Sequence, residues 1–247
     1  MPNKHICIIP AKSGSTRLPN KNFLPFYGND NLTEIAINFA KKLGFNKIYV
    51  STEDEGKFDE LQRFLKAKSI NDVKVDIRHP ELATDPATIK DVVVDILSRY
   101  YPIADGIWVK TVTVILPTSP INDVSCLKQG LQLAKDNRDK RILSVVKNSK
   151  PPFNSWSFLS DDDALMENTF SKSEFARTQS TRCPDTYISN GCFTIWNIDK
   201  NNSITENGTL GIEMPPICSV DIDDELEFEI AQFLFDKLVN CKSNYKK

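Results

Sequence analysis

Between Ile6 and Gly28 a short apolar run, residues 6–10, gives way to small polar residues and then to three spaced cations, Lys12, Arg17 and Lys21. A short β-type run that ends on Ser-Gly-Ser predicts a buried first strand followed by a loop offering backbone N–H groups. The period then changes. Leu32, Ile35, Ala36, Phe39, Ala40 and Leu43 form one helix stripe that stops at Gly44, and residues 47–50 read as strand. Phe58, Leu61, Phe64 and Leu65 predict a second helix, 73–78 a strand, and Ile89, Val92, Val93, Ile96, Leu97 and Tyr100 a third helix. Residues 108–116, rich in β-branched side chains and stopped by Pro117, predict another strand. Val124, Leu127, Leu131 and Ala134 mark a helix and 142–147 a strand. Repeated βα units predict an α/β fold with a mainly parallel sheet, helices on both faces, and ligands at the carboxyl ends of the strands.

That rhythm breaks over 148–187, which is polar and Pro- and Asp-containing but carries Phe153, Trp156, Phe158 and Phe170. A long irregular insert in a compact domain predicts a lid or an interface arm, here one shared with a second subunit. Regular structure is expected again at 187–197, as a strand over 218–223, and as a final helix carrying Leu226, Ile230, Phe233, Leu234 and Leu238. The whole chain, 1–247, is read as one domain with an inserted arm.

At 247 residues and a formal net charge of -2, the chain has room for a substantial core and lacks the basic excess of a general nucleic-acid binder. No apolar run approaches the roughly 18 residues of a membrane span and no long apolar leader opens the chain, so a cytoplasmic protein is expected. Six cysteines lie scattered without CxxC spacing and there are two histidines. This favours reduced, packed thiols over disulfides or zinc.

The first loop matches neither the Walker pattern nor a GxGxxG fingerprint. With no Asp or Glu between Lys4 and Asp30, its cations point to a phosphate-bearing ligand rather than an internal ion pair. Arg78, at the end of a strand, shares a Pro-containing segment with Asp85, with which it could equally form a salt bridge. Leu116–Pro-Thr-Ser–Pro120 offers the hydroxyls of Thr118 and Ser119 at another strand end, or is ordinary turn chemistry. In Val220-Asp-Ile-Asp-Asp, alternation puts Asp221 and Asp223 on one face, where two close carboxylates call for a cation; hard oxygen ligands suit Mg²⁺, while one of the neighbouring aspartates could cap the next helix.

IIPAKSGSTRLPNKN, RHPELATD, ILPTSP, ARTQSTRCPDTYISNG and VDIDDELEFEIA together resemble, in order and over nearly the whole chain, the acylneuraminate cytidylyltransferase family. The resemblance implies a Rossmann-like nucleotidyltransferase fold, a homodimer formed through the arm, Mg²⁺ as cofactor, and CTP and a nine-carbon keto-sugar acid as substrates. It assigns Ala11, Lys12, Ser13, Asn22, Arg78 and Asp85 to the nucleotide, with Lys21, Arg17 and Asp221 as the catalytic set and Asp221 and Asp223 as the metal pair. The acceptor sugar falls to Leu116, Thr118, Ser119, Arg177, Gln179 and Asn190, with Arg177 reaching across the dimer. Three positions depart from the family pattern: Lys12 stands for Arg and loses a bidentate fork, Glu53 for Asp, and Leu116 for a Gln that contacts the acceptor. An eight-carbon acceptor, a sugar-1-phosphate nucleotidyltransferase of the same fold, and a non-catalytic nucleotide binder stay open as alternatives.

Overall fold

The structure, a computed structural model, describes residues 4–105, 108–160 and 164–244. In chain order its strands are β1 (Lys4–Pro10), β2 (Pro25–Tyr27), β3 (Asp30–Asn31), β4 (Lys47–Thr52), β5 (Val73–Ile77), β6 (Val109–Ile115), β7 (Arg141–Lys147), β8 (Trp156–Phe158), β9 (Met166–Asn168), β10 (Tyr187–Ile198), β11 (Ile204–Thr205) and β12 (Thr209–Glu213). The helices are α1 (Leu32–Lys41), α2 (Glu55–Ala67), α3 (Ile89–Tyr100), α4 (Val124–Asp136) and α5 (Glu225–Asn244). The main sheet runs β12-β7-β10-β6-β1-β4-β5, with β11 hydrogen-bonded to β10. β1 lies parallel to β4 and β6, β4 to β5, and β7 to β12. β10 alone in this path is antiparallel to both of its neighbours, β6 and β7.

The unbroken apolar run of β1 follows from burial on both sides. Cys7 and Ile9 pack with residues of α1, α2 and α4, among them Ile37, Leu61 and Leu127. Ile6 and Ile8 face the other way, against Val92, Val93, Ile96 and Leu97 of α3. Helix starts are encoded locally: Asn31 with Glu34 and Thr88 with Asp91 form capping boxes, and Asp54 and Asp123 cap α2 and α4.

A third apolar cluster positions the site. Phe26 of β2 meets Phe228 and Phe235 of α5 edge-on, each at 5.4 Å between ring centres. Gln232 Nε2 donates to the Phe26 carbonyl at 2.9 Å. Docked this way, α5 carries the segment before it, with Ile222 wholly buried, against the first loop.

The expected strand over 218–223 is not formed. Pro216–Ser219 is a short 3-10 turn, and the Ile222 N–H donates out of line to the Thr118 carbonyl at 2.9 Å, so the segment's backbone bonds go to a loop rather than to a ladder. The edge of the sheet is taken by β12, whose Gly-containing, half-exposed run gives little apolar signal.

The 148–187 insert has its own small core. Phe153 packs on Phe170 and Phe175 at 5.9 and 5.3 Å, and buried Asn168 of the β8–β9 hairpin donates to the Phe153 carbonyl at 2.9 Å. Its outer side leaves Trp156, Phe158, Leu159, Leu165 and Met166 exposed. Cys7, Cys126, Cys183 and Cys192 are free thiols, while the Cys241 side chain lies outside the description. Among the described residues no helix is long and apolar enough to cross a membrane.

Candidate active site

A cleft of about 240 Å³ opens at the carboxyl ends of β1, β5 and β6. Lys12, Lys21 and Asn22 line one side, Arg78 and Asp85 another, and Leu116 and Thr118 a third. Three sequence segments, within 10–22, 78–92 and 116–118, thus converge, as expected of an α/β sheet. Leu116 also packs on the α3 side of the core, which gives its place in the cleft an apolar surface.

Two buried side chains in this cleft each leave one polar atom unpaired. Asn22 is 4% exposed; its Nδ2 donates to the Lys12 carbonyl at 2.8 Å, but its Oδ1 accepts nothing. Arg78 is 5% exposed and its Nε donates to nothing. An unpaired buried polar atom costs about 1–3 kcal/mol, so an acceptor and a donor left open beside one cavity mark it as built for a polar ligand.

The loop cations do have an internal partner. Asp223 Oδ1 accepts from Lys21 Nζ at 2.8 Å, and its Oδ2 pairs with Arg17 Nη2 at 2.5 Å. Lys21 also donates to the Ile222 carbonyl at 2.6 Å. The sequence near the loop holds no carboxylate, and the one that serves comes from some two hundred residues downstream, delivered by α5. Hydrogen bonding from Lys21, chiefly, holds the Asp223 carboxyl below the usual aspartate range. Lys12 makes no ion pair among the described residues.

Nor are the loop amides free. Glu53 Oε1 accepts from the N–H groups of Ser13 and Gly14 at 2.8 and 3.1 Å and from Ser13 Oγ at 2.8 Å. Its Oε2 takes Arg78 Nη2 at 3.1 Å, so Arg78 pairs with Glu53 and not across the turn with Asp85. Burial works against this charge, but the donors, Gly14 N–H and Ser13 Oγ foremost, outweigh it and hold the Glu53 carboxyl below the usual range. Nothing local in the sequence signals this role, since the four donors come from two distant loops.

Asp221 is exposed and Asp223 partly so, while Ile222 between them is buried. Asp221 sits at Gly191, where an added Cβ would meet Asp221 Oδ2 at 3.1 Å and Ser119 Oγ at 2.7 Å. Ser119 Oγ donates to the Asn190 carbonyl at 3.3 Å, and Asn190 Nδ2 to Ser219 Oγ at 3.4 Å. Ser119, Asn190 and Asp221 are therefore brought together. Asp224 is the helix cap, its Oδ1 accepting from Glu227 N–H at 2.9 Å. Among the described residues no three His, Cys, Asp or Glu side chains form a metal cage. Two carboxylates are still what Mg²⁺ uses when phosphates and water complete its shell.

Arg177 and Gln179 stand apart. Both are exposed on the arm, where the Arg177 guanidinium lies 5.8 Å from the Trp156 ring, and neither lines this cleft.

Residues 6–152, more than half of the chain, match the Cytidylyltransferase family. The chain belongs to that family. Over 98% of its length it is 28% identical to an N-acylneuraminate cytidylyltransferase of Streptococcus agalactiae, of which it covers 56%. It is 24% identical to a CMP-N,N'-diacetyllegionaminic acid synthase of Legionella pneumophila, with 94% of this chain and 96% of that protein covered. The fold resembles that of a CMP:2-keto-3-deoxy-manno-octonic acid synthetase solved with CTP, with a TM-score of 0.63, 13% identity, and coverage of 95% of this chain and 99% of that one. The chain thus spans about half the length of the streptococcal relatives and nearly all of the Legionella one.

Proposed function

We propose that this cytidylyltransferase transfers CMP from CTP to the anomeric hydroxyl of a nonulosonic, sialic-acid-like keto-sugar acid and releases pyrophosphate. The observation that carries the proposal is the pair of open polar atoms, Asn22 Oδ1 and Arg78 Nε, in a cleft edged by Lys12 and Lys21. A buried acceptor and a buried donor in one cleft suit a base edge that offers both an amino group and ring acceptors, and the lysines suit its phosphates. The relatives named above, an N-acylneuraminate cytidylyltransferase and a CMP-N,N'-diacetyllegionaminic acid synthase, support the same reading.

The reaction is an in-line displacement: the acceptor hydroxyl gives up its proton to water, its oxygen bonds to the α-phosphorus of CTP as the bond to the bridging oxygen breaks, and pyrophosphate leaves with that electron pair. Little covalent work falls to the protein, so positioning and charge neutralisation dominate. Lys12, Arg17 and Lys21 meet the triphosphate and the departing pyrophosphate. Asp221 and Asp223 are the residues that would hold Mg²⁺, which when bound supplies charge neutralisation and lowers the pKa of a coordinated hydroxyl. Asp223 has the second task of keeping Arg17 and Lys21 in place. Ser119, Thr118 and Asn190 orient the acceptor, with Leu116 as an apolar wall where family members present an amide.

The 148–187 arm supports a homodimer, because its hairpin exposes a band of aromatic and aliphatic side chains. In such a dimer Arg177 and Gln179 serve the acceptor site of the partner. Free thiols and a nucleotide substrate support a cytoplasmic setting. Pyrophosphate release measured with each nucleoside triphosphate in turn tests the nucleotide assignment. CTP should exceed UTP, ATP and GTP by at least about tenfold, and a preference for any of those three would overturn it.

A further inference from the structure

Two walls of the cleft meet at a single carboxylate. Glu53, just past β4, is 14% exposed at its side chain and Arg78 is 4%. One Glu53 oxygen collects the Ser13 N–H, the Ser13 hydroxyl and the Gly14 N–H, and the other collects Arg78 Nη2. The first loop is thereby tied to the strand end that carries Arg78. The consequence for Arg78 is directional, because with Nη2 engaged its buried Nε is the edge left without a partner on a residue that lines the cleft. A planar guanidinium presents its donors in a fixed fork, so fixing one nitrogen fixes the direction of the others.

We infer that Glu53 is the positioning residue of the nucleotide site, setting the shape of the first loop and turning the Nε edge of Arg78 toward the ligand. This rests on the CTP reading given above. All four groups that reach Glu53 are donors, and only a carboxylate accepts from all of them; a glutamine in either orientation sets an NH₂ against a donor. The Ser13 and Gly14 amides, turned inward to Glu53, are structural, and the phosphates are left to the side chains of Lys12, Arg17 and Lys21.

The test compares wild type, Glu53→Gln and Glu53→Asp by calorimetric titration with CTP and by steady-state kinetics, with thermal melting as the check on folding. Losing charge-assisted hydrogen bonds predicts CTP affinity in Glu53→Gln weaker by roughly 10- to 100-fold. The KM for CTP should rise in parallel while the KM for the keto-sugar acid stays within about twofold, a split that general loosening of the fold would not produce. Glu53→Asp keeps the charge but is a methylene shorter, reaches one wall rather than both, and should fall between. If Glu53→Gln does not fold, Glu53→Asp carries the same comparison. Wild-type-like or tighter CTP binding by the folded variant, or an equal rise in both KM values, overturns the inference. Absence of CTP binding by the wild type is a different result and removes the nucleotide assignment itself.

Discussion

Asp223 carries two charges' worth of contact with little burial. Its side chain is 40% exposed, so the ion pairs to Arg17 and Lys21 are screened and contribute no more than about 1 kcal/mol each. Asp223→Asn should therefore shift the melting temperature by only a few degrees while cutting turnover by at least about 100-fold. Near-normal turnover would remove Asp223 from the site. Gly191 behaves in the opposite way. Its φ of +73° lies in the left-handed region, and a methyl group there would sit 2.7 Å from Ser119 Oγ. Gly191→Ala should cost about 1–2 kcal/mol in backbone strain alone and displace Ser119 or Asp221, read as lower stability in urea together with a raised KM for the acceptor. The convergence of Lys12, Lys21, Arg78 and Leu116 was legible because each follows the end of an apolar strand run, where an α/β sheet opens its cleft. The partners of Arg17, Lys21 and Arg78 were not, because they arrive by tertiary packing from residues far away in sequence.

Among the elements, β5 and α3 are joined by a charge cluster centred on Asp76. Asp76 is buried and accepts from Arg99 Nη1 and Nη2 at 2.7 and 3.0 Å, from Tyr100 Oη at 2.7 Å and from Ser51 Oγ at 3.2 Å. Burial opposes its charge, yet these donors, Arg99 first, hold its carboxyl below the usual aspartate range. Arg99→Ala would strand that carboxylate and should lower stability by about 2 kcal/mol, the cost of a broken buried pair discounted for the water that reaches Arg99. Because the folded-state pKa of Asp76 is depressed, its contribution is complete above the unfolded aspartate pKa and is lost as pH falls through the folded value. The stability difference between wild type and Asp76→Asn should accordingly vanish only under acid conditions below the ordinary aspartate range. Helices α1 to α5 were readable from apolar spacing and caps, and β1, β4, β5 and β6 from their apolar runs. Strand β12 was not, since Thr-Leu-Gly-Ile-Glu at a sheet edge buries little. The strand expected over 218–223 failed because Pro215 and Pro216 start a turn and the Thr118 carbonyl captures the Ile222 N–H.

At the scale of the molecule the arm exposes an apolar hairpin, which in the proposed dimer a second copy would cover. Phe158 is 65% and Trp156 48% exposed on a hairpin that Asn168 ties to the Phe153 cluster. Phe158→Asp, on the outer side, should turn a dimer into a monomer in light scattering while leaving the melting curve of each chain near that of wild type. Retention of the wild-type mass would place the interface elsewhere. The βα order of the sheet brings three strand ends to one cleft, and the return of the last helix to the first loop brings Asp223 onto Lys21 at its edge. The central claim, that this cleft couples CTP to a keto-sugar acid, is tested most directly by phosphorus NMR of the protein with CTP, Mg²⁺ and, in separate runs, N-acetylneuraminic, legionaminic, pseudaminic and octulosonic acids. Equal amounts of pyrophosphate and a CMP-sugar should appear with at least one nine-carbon acid and exceed those with the eight-carbon acid. CTP that binds but yields no pyrophosphate with any of the four, or turnover confined to octulosonic acid, would contradict it.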